Sequence, residues 1–210
     1  MRGSEYLESP LKRRLDIAIA TGALPITSPL WGIMYAYNKH RQQPFLFKQE
    51  RIGKNGTSFF MWKFETLYTG AENEAQHMKQ LTSNSLDREK TDTRIPNSFL
   101  RFLRQTGLNE LPQLINVTNG DMSIVGPRPL PPEFIDGARE IFPNLVQEWC
   151  ETTLIHRPGF LGVSPRNTRK LPIQQFNDIA VEDIKYCQQA TLWKDLTIIA
   201  EAFSGMFSSN

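Results

Sequence analysis

The chain has 210 residues, is 40% hydrophobic and 22% charged, and carries a formal net charge of +2. That length suits one domain or one domain with an anchor, and the composition excludes a disordered chain while leaving enough apolar residues for a core. So small a charge gives no electrostatic argument for nucleic acid, which is not expected as a partner.

Lys12, Arg13 and Arg14 open the first patterned segment, and no charged residue follows from Ile17 to Asn38 before Lys39, His40 and Arg41 close it. At about 22 residues the stretch is long enough to cross a bilayer. A secretory signal peptide fits poorly, because Pro25 and Pro29 interrupt the apolar run and no small-residue cleavage site follows. A simple spanning helix fits poorly too, since its basic residues flank both ends rather than one. Each proline removes a backbone donor and would kink a helix, at roughly 3 kcal/mol in a helix interior. Ser28, just before Pro29, is placed to satisfy a freed carbonyl. The least costly arrangement is a helix that enters the membrane, bends at Ser28-Pro29 and leaves by the same face, so that both basic flanks meet anionic headgroups. A kinked single span is the alternative. Residues 1–41 are therefore read as a membrane element and 42–210 as a domain on the cytosolic face.

From Phe45 to Leu67 the chain reads as a β-hairpin turning at Gly53 and Asn55-Gly56, with Arg51 and Lys63 as cations suited to a pyrophosphate. The stretch from Ala71 to Thr93 is polar and charge-rich, and its His77 lacks a metal-ligating neighbour at useful spacing. Phe99, Leu100, Phe102 and Leu103 then predict a short buried helix, with Arg101 and Arg104 on neighbouring helical positions. Next comes the densest stretch, Arg104 to Pro129. Asn109 and Glu110 are adjacent, Leu114, Ile115 and Val117 are core candidates, Asn119-Gly120 signals a turn, and Gly126-Pro127-Arg128-Pro129 makes a rigid loop around one guanidinium. An Arg held so can fork two phosphate oxygens, or the loop is a plain connector with a surface Arg. Further on, Pro131, Pro132 and Glu133 start an amphipathic helix, and Trp149 is either a membrane-interface anchor or core. Cys150 and Cys187 form neither a metal spacing nor a disulfide framework, which suits a reducing compartment.

"LNELPQLINV" followed by "GDMSIVGPRPL" resembles the signature of the bacterial sugar transferases, the small monotopic phosphoglycosyl transferases. Other segments extend the resemblance from Lys12 to about Phe203. The hairpin is similar to the family's FxQxRxGxxGxxFxxxKFRTM, matching at Gln49, Arg51, Gly53, Gly56, Phe59, Lys63, Phe64 and Thr66, with Glu65 where a basic residue is usual. "RPGFLGVSPRNTR" resembles RPGITGWAQVNGR, keeping Arg157, Pro158, Gly159, Gly162, Asn167 and Arg169 but carrying Leu161, Val163 and Pro165 at the Thr, Trp and Gln positions. The closing segment resembles DxYYVxNxSxxxDLxIL at Asp183, Tyr186, Thr191, Asp195 and Leu196, and its apolar periodicity suggests an amphipathic helix on the membrane or a core helix.

The resemblance implies a mainly helical α/β fold with a re-entrant helix, a small hairpin and interfacial helices around a cytosolic-face site. It implies transfer of a sugar-1-phosphate from a nucleotide diphosphate sugar to polyprenyl phosphate at the cytoplasmic face of the bacterial inner membrane. Membrane lipids and downstream glycosyltransferases are the further partners expected. In the family an Asp-Glu pair supplies the nucleophile and binds Mg²⁺; here Glu110 matches the acidic partner and Asn109 stands at the nucleophile's place. The implied phosphate and substrate contacts are Lys63, Arg104, Arg128, Arg157, Asn167, Arg169 and Asp183. An amide is a far poorer nucleophile than a carboxylate. Three readings follow: a transferase that uses another nucleophile such as Glu110, a silent relative acting as a membrane-bound binding or scaffold protein, and a membrane-anchored nucleotide-binding module.

Overall fold

A computed structural model of the protein describes residues 3–68, 95–163, 173 and 176–207. The polar stretch from Ala71 to Thr93, with His77, and the predicted contacts Asn167 and Arg169 lie outside the described residues. The fold is mostly helical with small two-stranded sheets, as the sequence predicts.

A short helix α1 (Gly3–Leu7) leads into α2 (Pro10–His40), 31 residues long. Ser9 caps α2 by accepting the Lys12 amide, and Pro10 occupies the first turn, where its missing N–H costs nothing. Helical hydrogen bonding continues through Ser28-Pro29, the pair at which the sequence predicts a bend. Pro29 cannot donate to the Pro25 carbonyl, and the Ser28 hydroxyl does so instead at 2.8 Å. That local repair is the one the Ser-Pro pair suggested, and it lets the helix continue.

Both ends of α2 pack on the same body. Near its start, Lys12 Nζ lies 2.9 Å from Asp16 Oδ1 and 2.7 Å from Asp195 Oδ2, all three side chains being buried. Tyr6 and Tyr186 donate to the two Asp195 oxygens at 2.9 and 2.6 Å, and Ser123 Oγ and the Ile124 amide donate to Asp16 at 2.8 and 3.1 Å. Burial, then the Asp195 charge, pushes both phenols above the ordinary tyrosine range. Near the other end, Asn38 donates to the Glu65 carbonyl at 2.9 Å and Arg41 to the Leu67 carbonyl at 3.2 Å. Between them Ala20 and Met34 are fully buried, with Ala23, Leu24, Leu30 and Trp31 packed along the same stripe. Lys12 and Arg13 are thus not headgroup contacts: the first is a buried ion and the second donates to the Val117 and Thr118 carbonyls at 2.8 and 3.2 Å. Arg14, Lys39 and His40 remain exposed.

The hairpin forms as predicted, β1 (Leu46–Ile52) pairing antiparallel with β2 (Ser58–Phe64) from Leu46↔Phe64 to Ile52↔Ser58. Asn55 (φ 57°) and Gly56 (φ 74°) make the left-handed turn that this dipeptide favours. In α3 (Ser98–Thr106) the helical period puts Leu100 and Leu103 in the core, while Phe102 is exposed and Phe99 reaches only the edge of Tyr37. The sequence reading of a helix buried at all four is corrected: residue 102 falls on the far side of the 3.6-residue repeat from 100 and 103, and residue 99, one turn before 103, sits at the edge of the buried face. Two elements then frame the site loops, α4 (Gln113–Asn119) and β3 (Ser123–Gly126).

Next, α5 (Pro132–Ile141) and α6 (Pro143–Thr153) precede β4 (Gly159–Gly162), which pairs parallel with β3. A Cβ on Gly159 would stand 2.2 Å from the Gly126 nitrogen, so these strands need glycine to approach this closely. The closing segment is two helices, α7 (Phe176–Gln189) and α8 (Leu192–Phe207). Trp149 is not a membrane anchor: it is 1% exposed and packs edge-on against Phe176. The exposed tryptophan is Trp193 on α8.

Lys12→Met would leave Asp16 and Asp195 buried without their cation. We expect a loss of about 3–5 kcal/mol at neutral pH, measured by thermal unfolding in detergent micelles.

Candidate active site

Gly107 ends α3 in the left-handed conformation (φ 80°) and starts a tight turn, Leu108–Glu110, that presents Asn109 and Glu110. Glu110 remains partly exposed, and Lys63 Nζ on β2 donates to its Oε1 at 3.2 Å. Asn109 is buried at 6% exposure, and its Oδ1 has no hydrogen-bond partner. A buried amide oxygen without a donor is rare, and it leaves a free acceptor beside Glu110.

Asn116, which the sequence reading passed over, sets this geometry. From α4 its Oδ1 accepts the Trp62 amide at 3.1 Å and its Nδ2 donates to the Phe60 carbonyl at 2.8 Å. One side chain thereby acts as the next strand of the hairpin and fixes Lys63 opposite Glu110. A fully buried polar residue between Leu114 and Val117 was the available signal.

Arg51, at the end of β1, has a buried Nε without a partner. Burial and then the nearby Arg128 lower its pKa to about 10, while Glu110 and Glu133 oppose the shift. It therefore stays charged at neutral pH. Two guanidiniums, Lys63 and the Glu110 and Glu133 carboxylates share one electrostatic neighbourhood, and sequence reasoning had not included Glu133.

The other predicted residues are placed separately. Arg104 donates to Thr66 Oγ1 at 3.2 Å. Burial raises the Glu65 carboxyl, and the Leu67 and Thr66 amides with Arg104 and Arg41 hold it down. Glu65, which reverses a charge usual in the family, is thus set against two arginines. Arg157 Nε donates to the Gly120 carbonyl at 2.9 Å and shares a small polar cleft with Arg13, Asp16, Ser123 and His156. Asp183 is wholly buried, its Oδ2 accepting the Arg128 amide and the Trp149 indole N–H, each at 3.1 Å. Burial pushes its carboxyl up to about 7, against those two donors and the Arg128 charge. It cannot meet a substrate from there.

The profile of the bacterial sugar transferases matches residues 7–209, and the chain belongs to that family. It is 32% identical over 204 residues to an undecaprenyl-phosphate galactose phosphotransferase of Salmonella typhimurium, covering 90% of this chain and 39% of the relative. It is 32% identical over 193 residues to a UDP-glucose:undecaprenyl-phosphate glucose-1-phosphate transferase of Escherichia coli, covering 90% of this chain and 38% of that one. To the exopolysaccharide production protein ExoY of Rhizobium meliloti it is 28% identical over 197 residues, covering 90% and 81%. The chain spans about two fifths of the length of the first curated relatives it matches.

The raised Asp183 pKa has a measurable sign. Between its unfolded value of 3.8 and about 7 the folded chain holds a proton that the unfolded chain has released. Its contribution to stability is complete below that window and is lost as pH rises through it. Relative to Asp183→Asn, the natural chain should lose up to about 4 kcal/mol across this window, read from urea unfolding of both proteins in micelles at a series of pH values.

Proposed function

We propose that the chain transfers a sugar-1-phosphate from a nucleotide diphosphate sugar, a UDP-sugar, to undecaprenyl (polyprenyl) phosphate, beginning a polysaccharide or glycoconjugate pathway. The observation that carries this is the convergence of the Lys63–Glu110 pair with Arg51 and Arg128, beside an Arg51 Nε and an Asn109 Oδ1 that lack partners. Cations with an unfilled donor suit a pyrophosphate, and a lysine-held carboxylate beside them suits attack on it. The names of the relatives point to the same donor and acceptor.

In this reading a Glu110 carboxylate oxygen attacks the β-phosphorus of the donor. The bond from that phosphorus to the UMP oxygen breaks, UMP leaves with the electron pair, and a phosphosugar ester forms on the side chain. An oxygen of polyprenyl phosphate then attacks the same phosphorus, the ester bond breaks, and the carboxylate returns. Lys63 orients Glu110, while Arg51 and Arg128 hold phosphate oxygens. Asn109 keeps its amide and does not attack.

The family resemblance also implies Mg²⁺. Glu110 and the unpartnered Asn109 Oδ1 are hard oxygen donors, and among the described residues no group of three His, Cys, Asp or Glu is arranged to hold a metal. That donor set fits an ion completed by substrate phosphates and water. When bound, it would neutralise charge on the transferred phosphate.

Residues 1–41 are the membrane element of this proposal and 42–210 the domain at the cytoplasmic face of the inner membrane. The α2 helix is long and apolar enough to cross a membrane, yet both its ends are bonded to the one body. A span would carry one end through about 30 Å of hydrocarbon and away from that body. We place α2 in one leaflet, with the exposed Ile26, Ile33 and Tyr35 toward lipid; Leu192, Trp193 and Phe203 of α8 are further exposed apolar groups suited to the interface.

Two experiments test these points. Purified chain incubated with UDP-sugars and Mg²⁺ should release UMP, Glu110→Gln should lose this by roughly three orders of magnitude or more, and Asn109→Asp should exceed the natural rate. An unchanged rate in Glu110→Gln would remove the proposed nucleophile. For topology, Ser4→Cys and Ser58→Cys, made singly in a Cys150→Ser, Cys187→Ala background, should both resist a membrane-impermeant thiol reagent in intact cells and react after lysis. Labelling of Ser4→Cys alone from outside would mean that α2 crosses the bilayer.

A further inference from the structure

Arg128 stands between Pro127 and Pro129, neither of which has a backbone N–H. Its amide is therefore the only main-chain donor from 127 to 129, and it goes to Asp183 Oδ2 at 3.1 Å. The flanks of the loop are held elsewhere: the Gly159 amide donates to the Pro127 carbonyl at 2.9 Å and the Ile52 amide to the Leu130 carbonyl at 3.0 Å. Those bonds run to β4 and β1. Asp183 holds the main chain of the loop at the residue that bears the guanidinium.

We infer that Asp183 is a positioning residue, whose buried carboxylate anchors Arg128 through its backbone amide and so aims the guanidinium into the anion site without touching ligand. The inference rests on the reading of Arg128 as a phosphate contact. Full burial removes Asp183 from any substrate, and its Oδ1 has no partner at all. An apolar side chain of similar volume would fill this place with less desolvation cost. What the carboxylate adds is one oxygen that gathers two N–H groups, the Trp149 indole from α6 and the Arg128 amide from the loop. Trp149 is itself locked against Phe176, so the oxygen is held from the core side and the loop is held by the oxygen. Proline on both sides leaves Arg128 few other backbone conformations, and a fixed amide therefore fixes the direction of its side chain.

A double-mutant cycle tests this, read by titration calorimetry of UDP onto the full chain in lipid nanodiscs. Arg128→Ala should raise the Kd about a hundredfold and Asp183→Leu about tenfold, while the double variant binds no worse than Arg128→Ala alone. Asp183→Asn keeps an acceptor oxygen and should stay within about threefold of the natural Kd. Additive losses, or an unchanged Kd in Asp183→Leu, would overturn the inference. Amide hydrogen exchange at Arg128, without ligand, supplies the second arm: protection should fall at least about tenfold in Asp183→Leu and persist in Asp183→Asn. Equal protection in Asp183→Leu also overturns it. If Arg128→Ala leaves UDP binding intact, the phosphate reading of the site has failed, and the exchange arm alone decides the positioning role. Asp183→Ala replaces the leucine variant in both arms if that variant does not fold.

Discussion

The buried cluster of Lys12, Asp16 and Asp195 is the constraint on which the remaining structure depends. Removing three charges from water is costly, and Coulomb attraction offsets that only when the geometry is good and the leftover lone pairs find donors. Here Tyr6, Tyr186, Ser123 and the Ile124 amide supply them. Such a cluster tolerates one placement of α2 against β3 and α8 and penalises a slipped one. The consequence passes along the chain. With Lys12 fixed, Arg13 forks onto the carbonyls that end α4. From α4 Asn116 holds the edge of β2, and β2 carries Lys63 to Glu110. The α2 helix and Glu110 are thus joined through four side chains, Lys12, Arg13, Asn116 and Lys63, each with a hydrogen-bond partner.

The site is strained electrostatically, and the strain has a direction. Arg128 and burial both disfavour the charge on Arg51, and Glu110 and Glu133 compensate. A pyrophosphate entering between these guanidiniums would replace repulsion with bidentate contacts and fill the empty bond at Arg51 Nε. Glu65 fits the same balance. It stands where the family carries a cation, and the Leu67 and Thr66 amides with the charges of Arg104 and Arg41 compensate it locally.

How much of this was legible depended on whether a local signal existed. The Asn55-Gly56 turn needs positive φ, and the hairpin followed from it. The apolar stretch of α2, the Ser28 repair and the two members of the Lys63–Glu110 pair were readable from residue type and motif. What failed was long-range. Nothing local says that Lys12 of a basic flank meets Asp195, or that Trp149 turns inward to Asp183. Phe102 looked like core because hydrophobicity was counted without phase, and Phe99 reaches only the edge of the face that buries Leu100 and Leu103. The parallel pairing of β3 and β4 was hidden in two glycines whose need for close approach appears only when both strands are present.

The substitution at position 109 is best judged from the burial of the two neighbours. Asn109 is nearly enclosed and its Oδ1 has no donor, whereas Glu110 is partly open and held by a lysine. A carboxylate at 109 would bring a second negative charge into the more enclosed place, where desolvation opposes it unless a cation arrives with the substrate. The amide escapes that cost and still offers an acceptor oxygen while ceasing to be a nucleophile. Exposure, charge and the Lys63 contact all then favour Glu110 as the atom source for attack. The pair would have divided its duties differently from the family pattern, the buried member orienting and the open member reacting.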